Sequence, residues 1–191
     1  MTSSKIVKKN GQAVTLYYTK WPNVDIVPAS RVSNSDGTVD HYNIPDMTRG
    51  TWLQTRPRRH NKAMAGLSLK QRQMIQMLKC WNSAHSDIMQ SYHLAVLVMS
   101  LPDVTSEWSF EIRYFFEEAT KKADGPLHHP KDEDNEVDSY LDYSSRAGLK
   151  DRLELAGSRA ASAETAVARG DAEEAMRLYR VIFGEKFPAY G

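Results

Sequence analysis

The first part of the chain alternates apolar and polar positions with a period of two. Val14, Leu16 and Tyr18 are separated by polar neighbours, Asn10-Gly11 has the sequence of a tight hairpin turn, and Val24 to Val27 follows Trp21-Pro22-Asn23 as a short run that reads as buried. The polar turn Ser33-Asn34-Ser35-Asp36-Gly37 precedes a third strand near Val39 to Ile44. Residues 5–45 therefore predict a small antiparallel sheet with one carboxylate, Asp25, embedded in it.

After Pro57 the spacing becomes helical. Met74, Ile75, Leu78 and Trp81 fall on one face of a helix that Ser68 can cap, and Ser91 to Leu101 is apolar on nearly all sides, as a buried helix is. Pro102-Asp103 stops it. Trp108, Ile112, Phe115 and Phe116 mark another helix up to Lys122. Ala123 to Glu136, rich in Gly, Pro, His and acids, reads as a mobile loop. Leu149, Leu153, Ala156, Ala160, Ala163 and Val167 then keep a 3.6-residue period in a narrow, alanine-rich stripe suited to close helix packing. Gly170 ends that helix. Asp171 caps the next, with Glu174 three residues on, and Ala172, Ala175, Met176, Tyr179, Ile182 and Phe183 form its apolar face before Gly184 terminates it. The last two helices are expected to form an antiparallel hairpin, and the fold class is α+β: a small antiparallel sheet followed by an α-helical bundle.

Composition narrows the chemistry. A formal net charge of +1 gives no global field to draw nucleic acid or an anionic membrane, so any polyanion site is local. The single cysteine, Cys80, excludes a disulfide framework and a Cys/His cluster. Met1 to Lys5 lacks the apolar core of a leader, and the longest apolar run, Leu94 to Met99, is too short to span a bilayer, so a cytoplasmic protein is expected.

Three stretches together resemble the bacterial cyclic-oligonucleotide synthases, relatives of the animal cyclic GMP-AMP synthase and oligoadenylate synthase among the polymerase-beta-like nucleotidyltransferases. The first is Gly11-Gln12-Ala13-Val14 with Trp21-Pro22-Asn23-Val24-Asp25-Ile26-Val27-Pro28-Ala29, similar to the strand that carries the family's third catalytic Asp. The second runs from His41-Tyr42-Asn43-Ile44-Pro45-Asp46 through Trp52 and Thr55-Arg56-Pro57-Arg58-Arg59-His60 to Leu78-Lys79-Cys80-Trp81-Asn82 and Ser91-Tyr92-His93-Leu94. The third comprises Asp138-Ser139-Tyr140-Leu141, Gly170-Asp171-Ala172-Glu173-Glu174-Ala175, and the ending Ile182-Phe183-Gly184-Glu185-Lys186-Phe187-Pro188.

The resemblance implies a partial nucleotidyltransferase palm sheet over residues 1–60 and an oligoadenylate-synthase-like helical domain over 61–191. It implies ATP or GTP as substrate, magnesium as cofactor, a cyclic di- or trinucleotide product and a role in antiphage signalling of the CBASS type. It also exposes a departure: family members begin with a Gly-Ser turn and a strand bearing Asp-x-Asp, and no such motif precedes residue 11. Asp36 and Asp40 follow the third-carboxylate strand and cannot take those places by order.

Each candidate residue has a plainer reading beside the functional one. Asp25 matches the catalytic and metal-binding third carboxylate, or is a strand acid bonded to local backbone. Its flanking Val24, Ile26 and Val27 favour a site, because an isolated carboxylate in apolar surroundings is costly. Lys79 matches the lysine that the family sets on the triphosphate, or is a solvated side chain that snorkels off the packed face. Ser91 matches the serine that offers its hydroxyl and a helix N-terminus to the same phosphates, or is an N-cap. Tyr92 stacks on a base or belongs to the core. Arg56, Arg58, Arg59, His60 and Lys62 form a basic cluster suited to phosphate or a nucleic-acid activator, or left in solvent as such clusters usually are, while His128-His129 lacks a third ligand at metal-binding spacing. Three readings follow: an enzyme whose first two acids come from a missing N-terminal segment, an inactive or split member that binds nucleotide or pairs with a partner chain, and a helical protein-interaction module. Neither a membrane nor nucleic acid is expected as a partner.

Overall fold

A computed structural model describes residues 6–103 and 106–191. The opening residues Met1 to Lys5, read above as lacking a leader, lie outside the described residues. The chain divides into two units, residues 1–61 and 62–191. The fold is α+β, and among the described residues no helix is long and apolar enough to cross a membrane.

The first unit contains two three-stranded antiparallel sheets where one was expected. Strands β1 (Ile6–Asn10), β2 (Ala13–Tyr17) and β3 (Val24–Ile26) pair in that order, and β1 turns into β2 at Gly11, whose φ of 58° is the left-handed conformation that the Asn-Gly pair accommodates. Strands β4 (Ser30–Ser33), β5 (Val39–Asp46) and β6 (Thr51–Thr55) form the second sheet. The Met47 N–H donates to the Gly11 carbonyl at 3.0 Å and ties the two hairpins together. The turn after β5 is closed by buried Asp46, whose carboxylate accepts the Thr48 and Arg49 N–H groups at 3.0 and 3.1 Å.

The run Val24 to Val27 is not buried. Among the described residues strand β3 pairs on one side only, with β2, and Val24, Ile26 and Val27 are all exposed, Ile26 to 51%. Apolar character made these residues look like core, whereas an edge position leaves them open. Asp25 therefore sits on an exposed edge strand and is not embedded in the sheet.

Helix α1 (Pro57–Ala65) spans the division between the units, with its proline at the first helical position, where a missing N–H costs nothing. In the second unit, α2 (Leu69–Ala84) begins in a full capping box: the Gln71 N–H donates to Ser68 Oγ and the Ser68 N–H donates to Gln71 Oε1, both at 3.1 Å. It is followed by α3 (Ser91–Met99) and α4 (Trp108–Lys122). Helix α3 runs through the middle of the core, with Leu94 and Val96 fully buried. Trp81 of α2 meets Phe116 of α4 edge to face, ring centres 5.4 Å apart, an arrangement that the aromatic quadrupoles favour.

The long helix α5 (Tyr143–Ala168) packs on α4 through Leu149, Leu153, Ala156 and Ala160, and its Gly157 lets the two backbones close until a Cβ there meets Phe116 Cβ at 3.5 Å. The buried stripe ends on Ala163 and Ala166, while Val167 faces solvent, contrary to expectation. Helix α6 (Ala172–Phe183) is capped by Asp171, which accepts the Glu174 N–H at 3.1 Å, and it folds back on α5 after the turn at Gly170. Ala175, Tyr179, Ile182 and Phe183 are buried on it, but Ala172 is exposed and Met176 only half-buried.

Residues 123–136, expected as a mobile loop, contain a short antiparallel hairpin of β7 (His128–His129) and β8 (Asp132–Glu136). The Val137 N–H closes on the Leu127 carbonyl at 2.8 Å, and His129, Asp132 and Asp138 are buried. Most acids of the segment and His128 are exposed, as the polar composition suggested, whereas His129 and Asp132 within it are buried among partners.

Candidate functional site

Asp25 faces Thr15 across the β2–β3 pair, and the Thr15 hydroxyl, itself buried, donates to Asp25 Oδ1 at 2.5 Å. This fixes one carboxylate oxygen and leaves the other available from solvent. Magnesium prefers six oxygen ligands in near-octahedral geometry, and one carboxylate does not make such a site. Among the described residues, no group of three or more His, Cys, Asp or Glu side chains is placed to hold a metal ion. The residues present thus do not fit a magnesium pair by themselves.

Lys79 projects from the exposed side of α2, next to fully buried Leu78. It lines a cavity of about 390 Å³, together with Cys80, Ser83 and Ala84 of the same helix and the chain that follows α6. Neither Ser91 nor Tyr92 is among its lining residues.

Ser91 is the first residue of α3 and not its cap. The N-cap is Gln90, whose side chain makes no capping bond, so the first turn of α3 presents amide groups beside an exposed serine hydroxyl. Two devices hold this helix start. Buried Asn82, on the last turns of α2, donates through Nδ2 to the Met89 carbonyl at 2.8 Å and accepts the Met89 N–H on Oδ1 at 2.9 Å. The loop between passes through left-handed conformations at Ser86 and Asp87, φ 71° and 49°, which such bonds must hold in place. Asn82→Ala leaves both backbone groups of Met89 unsatisfied, and a loss of about 2 kcal/mol in urea unfolding is expected. Faster amide exchange over residues 86–90 would accompany it.

The second device is Tyr140. Its hydroxyl accepts the Gln90 N–H at 3.0 Å and lies 2.9 Å from Nδ1 of His93. Burial drives the His93 imidazole down from 6.5 to about 4, with Asp138 opposing and Arg146 reinforcing the effect, so it is neutral, and the Tyr140 O–H, whose oxygen already accepts from Gln90, is free to donate a hydrogen bond to Nδ1. Burial likewise pushes the Tyr140 phenol up. Beneath lies Asp138, nearly inaccessible, accepting the Leu127 N–H at 2.8 Å and paired with Arg146 Nη1 at 2.5 Å. Arg146 also donates to the Gly125 carbonyl at 3.0 Å.

None of this network received a role from the sequence. Its signal was present: a histidine inside the apolar run of α3, and an Asp and a Tyr separated by one residue ahead of a helix. Only the contact between α3 and the segment before α5 makes them partners.

Tyr92 stacks on His129, with rings parallel within 5° and centres 6.2 Å apart, and its hydroxyl accepts from Asn135 Nδ2 at 2.9 Å. One face of the ring is therefore covered by the β7–β8 hairpin. His128 Nδ1 contacts the Glu133 carbonyl at 2.7 Å, and His129 Nδ1 accepts the Lys131 N–H at 3.2 Å, so both imidazoles serve the hairpin. In the basic cluster, Arg56 pairs with Asp40 at 3.7 Å, and Asp40 also bonds His41 Nδ1 at 2.7 Å, which holds its carboxyl below the usual range.

No protein-family model matches the chain. It is 25% identical over 192 residues to a protein of Bacillus cereus strain VD146 described as a probable cyclic nucleotide synthase, a match covering 96% of this chain and 57% of the relative. In fold it is similar to Vibrio cholerae DncV in its GTP-bound form, with a TM-score of 0.71 at 16% identity over 96% of this chain and 52% of that one. DncV with a nonhydrolyzable GTP gives 0.72 at 15%, and DncV with the linear intermediate 5′-pppA(3′,5′)pG gives 0.70 at 15%. The chain spans a little over half the length of these proteins, and over that length it has the fold of a DncV-like cyclic-oligonucleotide synthase.

Proposed function

From this likeness in sequence and fold, we propose that the chain is the triphosphate-holding portion of a nucleotidyltransferase that makes cyclic oligonucleotides, acting on ATP or GTP in the cytoplasm as part of antiphage signalling. The observation that carries the reading is the match along almost the whole chain to a described cyclic nucleotide synthase, coupled to the fold of a protein solved with GTP. Lys79 supplies an ammonium to the phosphates, and the first turn of α3 with the Ser91 hydroxyl, which lies outside the cavity that Lys79 lines, supplies hydrogen-bond donors to a triphosphate that reaches beyond that cavity. Tyr92 borders the base. Asp25 is one acid of the catalytic set.

The reaction joins an acceptor hydroxyl to the α-phosphorus, breaks the bond to the β-phosphate and releases pyrophosphate, while the hydroxyl proton passes to a base. The free oxygen of Asp25 suits that last task. Magnesium would be held by Asp25 only together with other acids, and would supply charge neutralisation of the phosphates. It requires carboxylates beyond Asp25, so turnover belongs to an assembled site and phosphate binding to this chain.

A split arrangement is the second reading, and strand β3 favours it. Its outer edge and the exposed Val24 and Ile26 that flank Asp25 suit pairing with a strand from another segment or partner chain that carries further acids.

The test is an equilibrium titration with ATP and GTP in the presence of magnesium, beside a Lys79→Ala/Ser91→Ala variant. Loss of an ammonium and a hydroxyl donor is expected to weaken binding about a hundredfold, since each charge-assisted contact is worth roughly a factor of ten. Folded wild-type protein that binds neither nucleotide, or a variant that binds equally well, sinks the proposal and leaves the helical interaction module as the better account.

A further inference from the structure

The cavity beside Lys79 contains a second lysine from the far end of the chain. Its outer wall is Gly184-Glu185-Lys186, the segment leaving α6, and its inner wall is the last turns of α2. The close approach of the two walls is set by one pair of small residues. Gly184 has φ 86°, and a Cβ placed there would lie 2.8 Å from Ala84 Cβ, so this contact exists only with glycine on one side and a small residue on the other. The junction is tightened by His85, which donates from Nε2 to the Ile182 carbonyl at 3.0 Å, and by Arg152, which donates to the His85 carbonyl at 2.6 Å.

Lys79 and Lys186 are thereby brought to one cavity with Glu185 as its acid, a net positive lining. Among the described residues neither lysine has an ion-pair partner. The volume, about 390 Å³, is within the usual range for a small-molecule site. A lysine carries a point charge on a flexible stem, and two of them on opposite walls match a chain of linked phosphates better than a single compact anion.

We propose that Lys186 is a second phosphate-binding residue, closing with Lys79 on one polyphosphate chain. It rests on the reading of Lys79 given above and extends it to a residue on the opposite wall. The positive lining also suits a free polyphosphate, and the two sources are separable by experiment.

Cys80 makes the test local, because it is the only cysteine of the chain, is exposed and lines this cavity. The experiment follows its alkylation by iodoacetamide, a neutral reagent, against rising ATP or inorganic tripolyphosphate. Wild type, Lys79→Gln, Lys186→Gln and the control Lys121→Gln are compared after thermal unfolding confirms that each is folded. Both ligands are expected to slow alkylation, with the half-protecting concentration raised about tenfold in Lys79→Gln and in Lys186→Gln, the scale of one charge-assisted contact, and unchanged in the control.

A Lys186→Gln curve that superimposes on wild type while Lys79→Gln weakens overturns the inference and leaves the nucleotide reading standing. ATP that binds by titration yet never protects Cys80 overturns it equally. Tripolyphosphate protection that Lys186→Gln loses, in a protein that binds no ATP, keeps the lysine pair and overturns its assignment to nucleotide.

Discussion

Replacing Asp138 by alanine is expected to cost about 3 kcal/mol of stability, the lower end of the range for breaking a buried ion pair, because the Arg146 side chain left behind is 24% exposed. The carboxylate side chain is 2% exposed and serves two partners, the Arg146 guanidinium and the Leu127 amide. Alanine leaves the amide unsatisfied and Arg146 with only the Gly125 carbonyl from this cluster. The measurement is urea unfolding at neutral pH, read as a shift in midpoint at unchanged slope. Asp138→Asn keeps an acceptor for Leu127 and removes the charge, so it should fall between wild type and alanine. A cost below about 1 kcal/mol for alanine, the level of an exposed pair, would show that the carboxylate is solvated and that the cluster does not hold the segment before α5.

This cluster also shows what the sequence could disclose and what it could not. Helix ends were legible because they are local: Ser68, Asp171, Gly170 and Gly184 act within a few residues of themselves. The faces of α2 and α4 were legible from the 3.6-residue period, since an apolar stripe of that width has one way to be buried. Strand β3 was misjudged because burial of a strand depends on which neighbours it has, and the residues of Val24 to Val27 are the same at an edge as at a centre. The segment 123–136 was misjudged for a related reason. Most of its acids stay exposed, as composition suggests, but His129 is buried by stacking on Tyr92, a contact that lies far away in sequence.

The candidate site divides along the same line. Lys79 and Ser91 were named through a family resemblance, and no periodicity marks either as more than a surface residue. Lys186 lies in the ending that carries the resemblance but received no role from it, because its place beside Lys79 depends on one glycine–alanine contact between the ends of α2 and α6. What the structure adds is a support: Asn82, Tyr140 and His93 all converge on the start of α3. Under the proposed phosphate role of α3, its amide groups need to be held in place before the ligand arrives, and these residues would supply that preorganisation.

The support should carry a pH signature of its own. His93 is 4% exposed, and burial holds its imidazole at about 4 against 6.5 for the free side chain. The unfolded chain therefore takes up a proton below pH 6.5 that the folded chain refuses. Stability from this residue is complete above that pH and is lost as the pH falls toward 4. At about 1.4 kcal/mol per pH unit the loss is about 3 kcal/mol. Burial lowers His129 as well, with Asp132 opposing, so its contribution has the same sign. The groups facing His93 are Tyr140, which donates to Nδ1, and the Asp138–Arg146 pair, whose opposed charges partly cancel at the imidazole. His93→Gln keeps a polar partner for Tyr140 and removes the titration. Urea unfolding between pH 7.5 and 4.5 should show wild type losing stability more steeply than the variant, by about one proton's worth of slope. Parallel profiles for the two proteins would mean that His93 is solvated or ionised in the folded state, and the donated hydrogen bond from Tyr140 would have to be reversed.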